Sequence, residues 1–136
     1  MKLSHVGFVV GNISYARGIW LRKGYVEVLP VVYDSIQNVY CCLLQFENEV
    51  PVELVSPGPE GDSPISARLS KGGGIDHICY ETDDLEKQLA QLVSAGYRIV
   101  VEPTYAILFK SRISFLMSPG GLLVEYVEII GDLHDY

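Results

Sequence analysis

A chain of 136 residues has the length of one ordinary domain, long enough to bury a core without disulfides or metals merely to fold. Its 17 acidic against 10 basic residues, a formal charge of −7, oppose the phosphate backbone of nucleic acid and an anionic membrane leaflet, so a small molecule is the expected ligand. Three cysteines, two of them the adjacent Cys41 and Cys42, make no disulfide framework, and no apolar run reaches the roughly 18 residues of a membrane span. A reduced, cytoplasmic, soluble protein is expected, with no signal-peptide pattern in Met1-Lys2-Leu3-Ser4-His5.

Leu3 to Val10 reads as a short strand ending at the turn signal Gly11-Asn12. Ser14 then offers an N-cap to a helix carrying Ala16, Ile19, Trp20 and Leu21, which should stop at Gly24. Tyr25 to Tyr33 is a strand in which Pro30 argues for an edge or a bulge, followed by strands over Val39 to Phe46 and Val50 to Val55. Residues 57–74 form a connector, where Asp62-Ser63-Pro64 should cap about two turns of helix that exit at Gly72. Ile75 to Thr82 opens a second series as a strand, and Asp83-Asp84 caps a helix striped by Leu85, Leu89, Leu92 and Val93. Gly96 ends that helix, and strands follow over Tyr97 to Val101, Arg112 to Met117 and Leu122 to Ile129. The turn Ser118-Pro119-Gly120-Gly121 joins the last two, and the tail 131–136 should be frayed.

The two series are copies. His77, Glu125 and Gly96-Tyr97 each lie 72 positions after His5, Glu53 and Gly24-Tyr25, and in each copy a histidine precedes a glutamate by 48 positions. The chain is thus one α+β domain over residues 1–136, with β-α-β-β-β modules at 1–56 and 75–130. A single histidine on an apolar strand is more often a hydrogen-bonded core residue than a ligand. Here two of the chain's three histidines are repeat-equivalent, and each is matched to a glutamate interrupting an apolar strand, as in Val52-Glu53-Leu54-Val55 and Val124-Glu125-Tyr126-Val127. Buried carboxylates are costly unless paired or metal-bound, so His5, Glu53, His77 and Glu125 are the candidate ligands of a divalent ion.

The repeat resembles the vicinal oxygen chelate superfamily, whose members include glyoxalase I and methylmalonyl-CoA epimerase. The resemblance runs from His5 to Glu128. It is carried by His5-Val6-Gly7-Phe8-Val9-Val10, Val52-Glu53-Leu54-Val55-Ser56-Pro57, Asp62-Ser63-Pro64-Ile65 and Gly73-Gly74-Ile75-Asp76-His77-Ile78-Cys79-Tyr80-Glu81. It implies two half-barrels forming a cleft around one divalent metal held by His5, Glu53, His77 and Glu125, with nickel, cobalt, zinc, manganese and iron all compatible. It also implies a small-molecule substrate, a thiol adduct or an acyl thioester, and it allows a homodimer. Two histidines and two glutamates match bacterial glyoxalase I, whereas the epimerase typically has glutamine at the place of Glu53, and Cys41 falls near its second catalytic glutamate. The expected activity is therefore a glyoxalase I-like lyase that moves a proton of a hemithioacetal-type substrate through an enediolate. Glu125 would serve as ligand and base and Glu53 as the second candidate. An epimerase-like activity and a non-catalytic ligand-sequestering role are the alternatives. Against a glutathione carrier, Val9 stands where the glutathione-using enzyme has a basic residue.

Other residues read as structural. Cys41 and Cys79 are small core side chains on strands, Glu81 an exposed strand-end carboxylate, and His134 a solvated tail residue. The apolar run Tyr105-Ala106-Ile107-Leu108-Phe109 fits a lid, a longer hairpin or an oligomer contact equally, and Arg112 fits a surface arginine or an anchor for a ligand anion.

Overall fold

The computed structural model describes residues 2–129; Met1, Ile130 and the 131–136 tail with His134 lie outside the described residues. The first module runs β1 (Lys2–Val9), α1 (Ile13–Arg22), β2 (Val26–Asp34), β3 (Val39–Gln45) and β4 (Val52–Pro57). After the short α2 (Ser66–Ser70), the second runs β5 (Gly74–Thr82), α3 (Leu85–Ser94), β6 (Arg98–Ala106), β7 (Ser111–Met117) and β8 (Leu123–Glu128). The strands form one curled sheet in the order β2-β3-β4-β1-β5-β8-β7-β6, which reads the same from either end once equivalent strands are matched. β1 lies parallel to β4 and β5 to β8, and the modules join where β1 and β5 run antiparallel. No helix among the described residues is long and apolar enough to cross a membrane.

Alternation along the strands sorts the side chains into three cores. On β3, Cys42 and Leu44 face outward beneath α1 with Ile13, Val52 and Leu54, packed by Phe8, Trp20 and Tyr25. α3 covers the equivalent face of the second module through Leu85, Leu89, Leu116, Val124 and Tyr126. The opposite faces of both modules meet in a shared inner core that includes Cys41, Leu43, Val55, Cys79, Leu108, Phe109 and Val127. That inner face carries the site.

Local structure departs from the sequence reading at four places. Asn12, not Ser14, caps α1, its side chain accepting from the Tyr15 amide at 2.9 Å, because Ser14 already lies inside the helix. α2 has no side-chain cap and spans only five residues. Ser63 instead donates its hydroxyl to the Asn38 carbonyl at 2.9 Å, so the connector's polar groups tether it to the β2–β3 turn rather than start a helix. Val93 is 49% exposed, off the buried stripe of α3. β6 continues to Ala106, pairing Tyr105 with Arg112 and Ala106 with Ser111, since the missing amide of Pro103 falls on an edge strand where it costs little. Pro30 sits on the other edge strand, β2, within the register shift between Leu29 and Val32, where its missing amide costs little.

Candidate metal centre and active site

Strand register builds the centre in two rows across the sheet. In one, Leu43 on β3 lies beside Glu53 on β4, Glu53 beside Gly7 on β1, and Gly7 opposite His77 on β5. In the other, Phe115 on β7 lies beside Glu125 on β8, Glu125 beside Cys79 on β5, and Cys79 opposite His5 on β1. Each row carries the glutamate of one module and the histidine of the other, so neither module holds the centre alone. All four side chains come from one chain, and all are buried.

The geometry is tight and nearly symmetric. His5 Nε2 lies 3.1 Å from Glu125 Oε1 and 3.2 Å from Glu53 Oε1, and His77 Nε2 lies 3.1 and 3.2 Å from the same two oxygens. Burial alone would depress both imidazoles, but the facing carboxylates outweigh it. His5 is raised by Glu125 and Glu53, and His77 is raised well above its ordinary value by Asp76, Glu125 and Glu53. Burial would likewise raise Glu125, yet hydrogen bonds from His5 and His77 hold it well below the usual carboxylate range.

These contacts outnumber the protons able to serve them. Each Nε2 carries at most one proton but faces two carboxylate oxygens, so hydrogen bonding can fill only half of the ring. A divalent ion would satisfy all four lone pairs at once and balance both carboxylate charges. Ligands about 2.1 Å from a tetrahedral ion sit about 3.4 Å apart, close to the separations seen here. The four ligand atoms lie within 4.8 Å of one another, and the residues therefore fit one divalent ion.

The centre forms part of the wall of a cavity of about 330 Å³. Its other walls are mainly aliphatic and aromatic, among them Val39, Val55, Ile65, Leu108, Phe109 and Phe115. Phe109 stacks on His5 with ring centroids 4.8 Å apart, and Phe115 meets His77 edge-on at 5.1 Å. The apolar run 105–109 is thus an extended hairpin whose Ala106, Leu108 and Phe109 reach the cavity. Cys41 also lines the cavity, and burial, then Glu53, push its thiol far up, so it is a neutral S–H rather than a base. Cys79 is fully buried and pushed up in the same way, by burial and then Glu125. Arg112 points elsewhere: it forks onto Glu128 at 2.9 and 3.0 Å and reaches Glu86 at 2.8 Å. Glu81 faces Lys2 at 3.7 Å.

Reading by ligand type alone missed the supports of the centre. The outer nitrogens are held as well, His77 Nδ1 by Asp76 Oδ2 at 2.8 Å and His5 Nδ1 by Ser4 Oγ at 3.1 Å. Asp76 lies 72 positions after Ser4, so the repeat contained the signal. Gly7 is a second such support, because a Cβ there would overlap the His77 ring. Asp34 is a third. It is buried in the cavity wall, accepting from the amides of Ile36 and Gln37 at 3.0 Å and of Ile107 at 3.3 Å, and so joins the hairpin tips of the two modules.

A family model described as the glyoxalase/bleomycin resistance protein/dioxygenase superfamily matches residues 4–115. The mitochondrial methylmalonyl-CoA epimerase of Dictyostelium discoideum is 31% identical over 133 residues, which span 93% of this chain and 78% of that protein. An ethylmalonyl-CoA/methylmalonyl-CoA epimerase of Cereibacter sphaeroides is 32% identical over 101 residues, 73% of this chain and 74% of that one. Among solved structures, methylmalonyl-CoA epimerase from Mycobacterium tuberculosis superposes with a TM-score of 0.84 at 28% identity, covering 97% of this chain and 90% of that chain.

Proposed function

The chain belongs to the glyoxalase/bleomycin resistance protein/dioxygenase superfamily, and on that premise we propose that it is an isomerase of acyl thioesters. In this reading it resembles methylmalonyl-CoA epimerase in moving the proton on the carbon beside the thioester carbonyl. The observation that carries the reading is the 31% identity to the Dictyostelium epimerase across 93% of this chain. The buried carboxylates and imidazoles beside an apolar cavity supply the matching chemistry. These relatives favour the epimerase alternative over the glyoxalase I-like lyase suggested by the ligand types alone.

His5, Glu53, His77 and Glu125 would hold the divalent ion. When bound, the ion supplies a Lewis acid for oxygens of the substrate. The chain's own residues do the rest. Glu125 accepts the proton as a carboxylate beside the cavity, with Glu53 as the second candidate. The walls around Val55, Phe109 and Phe115 exclude water from the reacting carbon. Epimerisation also needs a proton returned to the opposite face, for which the wall offers the Thr104 hydroxyl and the weakly acidic Cys41 thiol.

That thiol is also the observation favouring a second reading, a one-base lyase of the glyoxalase type. Metal-loaded protein should exchange the α-proton of methylmalonyl-CoA with solvent deuterium and interconvert its epimers. Lactoyl-thioester formation from methylglyoxal and a thiol, without exchange on the CoA ester, would establish the lyase instead. Absence of both reactions would leave the sequestering role.

A further inference from the structure

The two imidazoles face the centre through equivalent nitrogens but are backed by different chemistry. Asp76 Oδ2 lies 2.8 Å from His77 Nδ1, with the aspartate side chain only 12% exposed. At the equivalent place in the first module, the Ser4 hydroxyl lies 3.1 Å from His5 Nδ1. A carboxylate can only accept, so Asp76 requires a proton on His77 Nδ1, and the proton that an arriving ion displaces is the one on Nε2, which faces Glu53 and Glu125. A neutral hydroxyl lacks the charge of a carboxylate, so Ser4 backs His5 less firmly than Asp76 backs His77.

We propose that Asp76 is a positioning residue that fixes the Nδ1 proton of His77 and so pre-sets it as the anchoring ligand of the divalent ion, with His5 the less firmly backed of the two. Outer-sphere partners of this kind change metal affinity by about 10- to 100-fold. Asp76 acts through His77, whose Nδ1 it holds. The inference rests on the four-ligand reading of the centre and not on the identity of the substrate.

The test uses three variants of the whole protein: Asp76→Ser, which imports the first module's arrangement, Asp76→Asn, which keeps the shape, and Ser4→Ala. The readouts are the Co²⁺ dissociation constant by chelator competition, the His77 Nδ1–H proton resonance, and the ion-free melting temperature. Asp76→Ser should weaken Co²⁺ binding by about tenfold or more and move the His77 Nδ1–H resonance upfield without lowering the melting temperature in proportion. Asp76→Asn should fall between it and the parent, and Ser4→Ala should stay within about threefold of the parent. Co²⁺ binding within about twofold of the parent in both Asp76 variants would overturn the role of Asp76, as would an unchanged His77 Nδ1–H resonance in Asp76→Ser. Should Asp76→Ser not fold, Asp76→Asn decides by the same limit. A parent protein that takes up no Co²⁺ would overturn the ion reading itself, a different outcome from an unaffected variant.

Discussion

His5 and His77 occupy equivalent places in the two modules, yet the structure holds them by different means. His5 is stacked on Phe109, backed by a serine hydroxyl and set opposite Cys79. His77 lies over the bare backbone of Gly7, edge-on to Phe115 and backed by a carboxylate. Duplication supplied the same inward-facing atoms twice, and divergence acted on the groups behind them. A centre whose ligands look symmetric can therefore respond asymmetrically to change, and the two halves can be set against each other by experiment.

The largest effect should come from removing a ligand. His77→Ala should lower bound divalent metal from about one ion per chain to near zero, and His5→Ala should leave a weaker but measurable site. Metal analysis of the purified variants checks this, and equal residual binding in the two would erase the asymmetry. Next come the glutamates. Glu125→Gln should keep part of the metal through its amide oxygen yet lose roughly two to four powers of ten in turnover, with a smaller loss from Glu53→Gln. Steady-state rates at saturating metal measure the difference, and the reverse order would exchange the two roles.

A smaller effect separates the residues opposite each imidazole. Gly7→Ala forces a Cβ into the His77 ring and should cost about 1–3 kcal/mol of stability along with metal affinity. Cys79→Ala, which removes one buried sulfur, should cost less. Thermal melts of ion-free and ion-loaded protein report both quantities.

The smallest and most informative effect is in pH. In ion-free protein the raised imidazoles contribute stability that is fully present below their unfolded value of 6.5 and is lost as pH rises through the folded values. The lowered Glu125 contributes stability present above its unfolded value of 4.5 and lost as pH falls toward its folded one. Ion binding has the opposite slope at neutral pH, because it needs neutral imidazoles and releases their protons. The gap in melting temperature between ion-loaded and ion-free protein should therefore widen from about pH 5.5 to about pH 8.5. A constant gap would mean that the imidazoles do not bind the ion.

Much of this molecule was legible before folding was considered. The 72-residue repeat placed the modules, the helix exits at Gly24 and Gly96, and the four inward-facing side chains of the candidate centre. The supports were less visible, because Ser4 and Asp76 share a position and not a residue type. Gly7 looked like any glycine on a strand until His77 lay over it. Arg112 was ambiguous for a similar reason: its partners, Glu86 and Glu128, lie on α3 and β8, far from it in sequence.

By itself the sequence determined the α+β class, the duplicated module and the residue types at the centre. These follow from periodicity and from repetition, which survive as a written pattern along the chain. Only the tertiary structure decided that Glu53 shares a row with His77 and Glu125 with His5, since that pairing depends on the antiparallel register of β1 against β5. It also decided that the cavity wall draws Cys41, Phe109, Asp34 and Asp76 from both modules. The physical reason is the range of the signal: hydrophobic period and chain-local caps act over a few residues, whereas strand register and close packing join residues tens of positions apart and exist only once the sheet has formed.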